Sequence, residues 1–513
     1  MPGWKLRDLA VWAAYLLMLA CTVPWHEPWN DEAQAWLLAR DLSLPQLLFH
    51  GLRYESHPPL WYLILWVPAH LHFSYSIFCW ISAVIAAAGI YVLLRLAPFP
   101  FYLRAILPFT FYLGYQYAVV ARSYVLYPLL GFLVAHVYRQ TRPRPVLTAI
   151  LLALLANVSI HGTLVAFAFA VLYLWKHLRP GRTADIASKN FLPAAAIFVS
   201  SLALIALIVF PPKDLITVAT PTVTRVLLHQ TSSNPAASIP AIAAAPSASA
   251  PASPPKQGGL RYRIAELPKL LSYSISSSHL LAFALYLFLL VFLYRIHQLP
   301  MLLPLAVIIL FLSFVYGLAW HLGMIWITIL MVLWAVWNPD ADTRPGFNLQ
   351  KALAGFLFFL SLLQLPWTWG AIRFDIRSPY SGAKATAAYL HTLPPGLRIA
   401  GFSPQSTAIV PYFRENIFFN QPTTYWLWST HNTIDLDAPS TLATRPGLVV
   451  VFQQYNSSGV PNDNPVRDIV QANSYREAHR FCGEAYYPIP QDISQSCYLL
   501  YSQPSAQPDR AAP

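Results

Sequence analysis

Hydrophobic positions along the chain come in long uninterrupted runs. Runs at about 9–24, 75–95, 101–119, 123–139, 145–160, 162–177, 191–210, 271–294, 299–319, 322–337 and 351–369 predict about eleven membrane-crossing helices. The stretch 58–71 is apolar but only about 14 residues long, too short to cross comfortably, and predicts an interfacial or re-entrant helix. Residues 25–57 carry Glu27, Asp31, Glu32, Arg40, Asp41, Arg53 and Glu55, a charge density that hydrocarbon excludes. A first outer loop with interfacial helices therefore spans 25–74. A second outer segment, 211–270, holds an Ala/Ser/Pro tract from Asn234 to Pro255 that cannot bury a core. It is expected to be a flexible loop, with a lid over a site as the alternative. After residue 370 the pattern becomes one of ordinary polarity. Short apolar runs such as Leu448–Phe452 read as buried strands, and Ala383–Leu390 and Val466–Gln471 as helices between strands. The expected organisation is a multi-pass α-helical membrane module, 1–370, followed by a small C-terminal α/β outer domain, 371–513.

Composition narrows the class. Of the 513 residues, 56% are apolar or aromatic and 11% are charged, against about 25% charged in a soluble domain. A water-soluble enzyme of this length is excluded. The formal charge is 33 − 21 = +12. Fourteen Lys and Arg fall in the segments placed inside and three in the short outer ones, the asymmetry of a polytopic protein with a cytoplasmic N-terminus. No basic stripe with interleaved aromatics occurs, so nucleic acid is not an expected partner. Cys482 and Cys497 lie in the outer domain, where an oxidising compartment favours a bridge between them.

Candidate chemistry gathers at the predicted outer boundary. Asn30-Asp31-Glu32-Ala33 opens an amphipathic helix that Asn30 can cap, with Asp31 and Glu32 in the first turn, where the helix dipole favours carboxylates. A carboxylate there can also serve as a general base on a hydroxyl or amine. Arg53-Tyr54-Glu55-Ser56-His57-Pro58-Pro59-Leu60 follows, and its cations are placed to bind a phosphate head group. Ala121-Arg122-Ser123-Tyr124, His161-Gly162 and Trp320-His321-Leu322-Gly323 sit at other outer turns. Glu55, His57, His161 and His321 could alternatively assemble around a divalent metal; spacing alone assigns no ligand set.

A membrane span, then Asp31-Glu32-Ala33 in an outer loop, then His57-Pro58-Pro59-Leu60 before a short apolar helix resembles membrane glycosyltransferases of the GT-C fold. The relatives meant are protein O-mannosyltransferases, aminoarabinose transferases and similar enzymes that use polyprenyl-phosphate sugars. Ala121-Arg122-Ser123-Tyr124 resembles their Gln-Glu-Ala-Arg-x-Tyr motif, with Val119 and Val120 in place of Gln and Glu. The resemblance implies a GT-C-like fold and transfer of a sugar from a polyprenyl-phosphate donor to a lipid, glycan or protein acceptor. The reaction would take place on the outer face of a bacterial-type cytoplasmic membrane, with the C-terminal domain periplasmic. It implies a single inverting displacement in which the family pattern favours Asp31 as the base, with Glu32 positioning the acceptor or sharing that role. Arg53, Glu55, His57, Arg122, Tyr124, His161 and His321 would line the substrate site. A transporter or flippase, or a polymerase or ligase of lipid-linked glycans, would share the spans and the outer cations.

Overall fold

The computed structural model describes the chain apart from residues 1–5, 56, 178–183, 214–259, 316–318, 344–347, 422–433, 436, 457, 489–490 and 504–513. The Ala/Ser/Pro tract lies outside the described residues, and with it the expected loop or lid.

Helices dominate the first 377 residues. They are α1 (Leu6–Thr22), α2 (Asn30–Asp41), α3 (Leu60–His70), α4 (Ile77–Leu96), α5 (Leu126–Arg139), α6 (Pro145–Ala156), α7 (Ile160–His177) and α8 (Ala184–Val209). After the undescribed tract come α9 (Leu260–Tyr273), α10 (His279–Arg295), α11 (Leu303–Phe314), α12 (Gly323–Val336) and α13 (Leu349–Arg377). Among the described residues six helices are long and apolar enough to cross a membrane: Leu6–Trp25, Ile77–Leu96, Ile160–His177, Asn190–Val209, Ala319–Val336 and Leu349–Arg377. The expectation was about eleven. Four further apolar helices are shorter, including Pro145–Ala156 and His279–Arg295, and α3 falls on the short helix expected at 58–71.

The run 101–119 departs furthest from expectation. It breaks into a helix, Phe101–Ile106, a 3-10 turn, Leu107–Phe109, and a wide π turn, Tyr112–Gln116. Pro108 offers no N–H to a ladder, and Thr110 turns its hydroxyl back to the Leu107 carbonyl at 2.7 Å. Apolarity alone does not register such a break.

Helix α12 is the buried centre of the bundle, with nearly every side chain from Met324 to Trp334 enclosed. It lies against α5, where Gly131 lets the two backbones approach: a Cβ there would stand 2.6 Å from Met331 Sδ. Tyr127 and Thr328 join the same two helices by a 2.8 Å hydroxyl pair, which satisfies both groups inside an apolar core.

Beyond α13 the chain forms a four-stranded sheet of β1 (Ile399–Phe402), β2 (Leu448–Tyr455), β3 (Arg476–Pro488) and β4 (Gln491–Ser502) in the order β1-β2-β4-β3. β1 and β2 are parallel and the other pairs antiparallel. The expected strand at 448–452 is β2, and the expected helices appear as Ala383–Leu390 and Pro465–Ala472. β2 is apolar on both faces because both are covered: Val450 and Phe452 face one cluster, Val449 and Val451 the other. Cys482 and Cys497 face each other across β3 and β4 and are disulfide-bonded. Ala33 and Leu37 of α2 belong to the core on one face of the sheet. The segment 25–74 and the C-terminal sheet therefore share a hydrophobic contact, which holds α2 in place.

Candidate functional site

Helix α2 carries both carboxylates, and its start sets their different surroundings. The helix begins at Asn30 with Trp29 in the capping position, rather than on the expected Asn30 cap. Glu32, three residues in, accepts the Trp29 N–H at 2.9 Å. It thereby satisfies one of the amides that a helix start leaves open.

From there Glu32 turns inward. Its side chain is 1% exposed. It also accepts the Ala121 N–H at 2.6 Å and lies 3.4 Å from His26 Nε2. The other imidazole nitrogen, Nδ1, is 2.9 Å from Asp375 Oδ2 near the end of α13, and the Tyr115 hydroxyl donates to that same oxygen at 2.9 Å. Burial pulls the His26 imidazole down, but Glu32 and Asp375 outweigh it and raise it to about 10. His26 is therefore a buried cation between two carboxylates.

Asp31 turns the other way. Its carboxylate meets the Arg122 guanidinium at 2.5 Å, and the two side chains remain 27% and 20% exposed. Access separates the carboxylates: a solute can reach Asp31 but not Glu32. Arg122 lies 5.6 Å from the centre of the Tyr124 ring, the Tyr124 hydroxyl pairs with His321 Nε2 at 2.8 Å, and the His321 and His161 rings stand 4.5 Å apart. Four sequence candidates thus extend inward from Asp31 as a chain of contacts.

Glu55 and His57 lie beside Asp31 and Arg122. Gln34 Nε2 donates to Glu55 at 3.3 Å and the Tyr62 hydroxyl at 3.4 Å. Burial is the main cause that raises Glu55 to about 7, and the charge of Asp31 adds to it. His57 Nδ1 donates to the Glu55 carbonyl at 2.6 Å, which leaves Nε2 as the acceptor nitrogen of the neutral ring. Burial first, then the nearby Arg122, holds His57 below the usual imidazole range, so the ring is neutral at pH 7. Arg53 is placed elsewhere. Its Nε donates to the Phe210 carbonyl at 2.9 Å and its guanidinium lies over the Phe210 ring.

Among the described residues no three His, Cys, Asp or Glu side chains converge as metal ligands. Glu55 and His57 direct the atoms named above to Gln34, Tyr62 and a carbonyl.

His26 and Asp375 were not expected from sequence. The signal was faint: a His-Glu pair between Pro24-Trp25 and Pro28-Trp29, and one acid inside the C-terminal end of a long apolar helix. Nothing local to either residue points to a partner 349 positions away.

The chain matches no protein-family model, no curated protein and no solved structure.

The raised Glu55 gives a testable sign. A carboxyl at about 7 in the folded protein and 4.5 when unfolded holds a proton in the native state alone between those values. Its contribution to stability is therefore fully present below pH 4.5 and is lost as pH rises through 7. Glu55→Gln keeps a group of the same shape and removes the charge. In detergent-solubilised protein the variant is expected to melt a few degrees above wild type at pH 8 and level with it at pH 4. Equal shifts at both values would contradict the buried-carboxyl assignment.

Proposed function

We propose that the chain is a membrane glycosyltransferase that moves a sugar from a polyprenyl-phosphate donor to an acceptor at the outer boundary of a bacterial-type cytoplasmic membrane. In this reading the fold is GT-C-like, the N-terminus is cytoplasmic and the C-terminal domain is periplasmic. The carrying observation is the accessible Asp31–Arg122 pair at the start of α2. A base and a phosphate-binding cation stand in contact, where an incoming donor can separate them.

The chemistry follows from that pair. The donor's phosphodiester, which carries a single negative charge, draws Arg122 away from Asp31 by offering two free oxygens to the guanidinium fork. Asp31, now free, takes the proton from the acceptor hydroxyl or amine. The acceptor atom attacks the anomeric carbon as the bond from that carbon to the phosphate oxygen breaks. The electron pair leaves with the polyprenyl phosphate, whose charge Arg122 stabilises. The configuration at the sugar inverts. Tyr124, set against Arg122 and His321, steadies the guanidinium. Neutral His57, with its proton on Nδ1, offers Nε2 as an acceptor to a sugar hydroxyl. Glu32 holds the Ala121 amide and so positions the neighbouring Arg122. No step requires a metal.

The test uses full-length protein in nanodiscs with a panel of radiolabelled polyprenyl-phosphate sugars and several acceptors. Wild type is expected to consume donor and transfer label. Arg122→Gln is expected to weaken donor binding at least about tenfold, the value of a charge-assisted hydrogen bond. Donor binding without turnover by wild type across the panel would overturn the transferase reading in favour of a lipid-linked-glycan transporter. Binding unaffected by Arg122→Gln would remove the phosphate from this site.

A further inference from the structure

A cavity of about 1540 Å³ opens on the side of α2 away from Asp31. Arg40, which lines it, lies two and a half helical turns beyond Asp31 and so on the opposite face. Neither Asp31 nor Arg122 contributes to its wall. The wall is built from the end of α13, the start of the Ala383–Leu390 helix, the loop around Pro411–Glu415 and the turn between α3 and α4.

Its charges are unevenly committed. Asp41 is paired with Arg40, Asp375 with His26 and Tyr115, and Glu27 accepts the Lys384 backbone N–H at 2.6 Å. Arg40 is also held by the Phe413 carbonyl at 2.7 Å. Arg377 and Arg414 are exposed and make no hydrogen bond or ion pair among the described residues. Glu415 is the acid left over. The charge available to a visitor is therefore basic, and guanidinium forks match a phosphate.

The rim is aromatic and lies at the ends of apolar helices. Trp25 ends the first candidate span, and Trp80 lies in the first turn of Ile77–Leu96. Phe73 precedes that helix, and all three rings are exposed on the cavity edge. Exposed aromatics at the ends of apolar spans belong at headgroup depth.

We propose that this cavity binds the phosphate-bearing headgroup of a membrane lipid, with Arg377 and Arg414 on the phosphate and Trp25, Phe73 and Trp80 against the start of the acyl chains. The site is separate from the Asp31 face and stands whether or not sugar transfer does.

The test measures retention of radiolabelled dioleoyl phosphatidic acid by full-length protein in dodecyl maltoside micelles. Phosphatidic acid is expected to bind saturably, and dioleoyl phosphatidylcholine and glycerol phosphate to compete poorly. Arg377→Gln/Arg414→Gln is expected to weaken binding at least about tenfold. Both arginines are exposed, so an unchanged melting transition verifies that the double variant is folded, and Arg414→Glu provides an independent variant. Equal retention of phosphatidylcholine would overturn the proposal. So would glycerol phosphate competing as well as the lipid, which would mark a site for free anions. Loss of binding in Arg122→Gln but not in the double variant would overturn it by moving the lipid to the other face of α2.

Discussion

Asp31→Asn is expected to lower the rate of sugar transfer by about two to four orders of magnitude, the usual contribution of a positioned general base, while donor binding is kept or tightened. The carboxamide preserves shape and some hydrogen bonding to Arg122 but cannot accept the acceptor's proton. It also no longer neutralises Arg122, so the guanidinium becomes more available to a phosphate. A fall in kcat with an unchanged or lower Kd for the donor is therefore the signature. A purely structural role would instead change binding, kcat and melting together. Glu32→Gln is the informative comparison. Glu32 is sealed from solvent and holds two backbone amides beside the His26 cation, so its loss is expected to show first as reduced stability. Wild-type turnover in Asp31→Asn would remove Asp31 as the base.

How much of this was legible beforehand depends on the range of the interaction. Hydrophobic runs report burial one residue at a time, so the apolar helices, the short helix at 60–70 and the β2 strand could be read directly. The break at 101–119 could not, because Pro108 and Thr110 act through local hydrogen bonds inside a run that stays apolar. Motif spacing drew attention to Asp31, His57, Arg122 and His321, and the fold brings all four into one neighbourhood, His321 through Tyr124 and His57 beside Arg122. It did not divide the work between Asp31 and Glu32. Adjacent residues on a helix point about 100° apart, and only the packing of α2 on both the bundle and the sheet decides which of those directions meets water. Arg53 shows the same limit: its charge was visible in the sequence, and its use at the Phe210 carbonyl was not.

The largest effect on stability is expected at His26. His26→Leu removes the cation shared by Glu32 and Asp375 and leaves two buried carboxylates without it. Breaking a buried pair from one side costs about 3–5 kcal/mol. The effect has a pH signature whose sign is fixed. The imidazole is raised from 6.5 to about 10 in the folded protein, so its stabilising contribution is fully present below pH 6.5 and is lost as pH rises through 10. The gap between wild type and variant, followed by thermal unfolding in detergent, is therefore expected to be widest near pH 6 and to narrow toward pH 10. A second substitution separates the pair from the position. In His26→Leu/Asp375→Leu one of the stranded charges is gone, and the combined loss is expected to fall short of the sum of the two single losses. Additive losses, or a gap that does not change with pH, would show that His26 acts by filling space. The network also reaches the proposed site through Glu32 and the Ala121 amide, one residue from Arg122. A partly folded His26 variant is accordingly expected to lose donor affinity before it loses its helices, because the Arg122 backbone is released first.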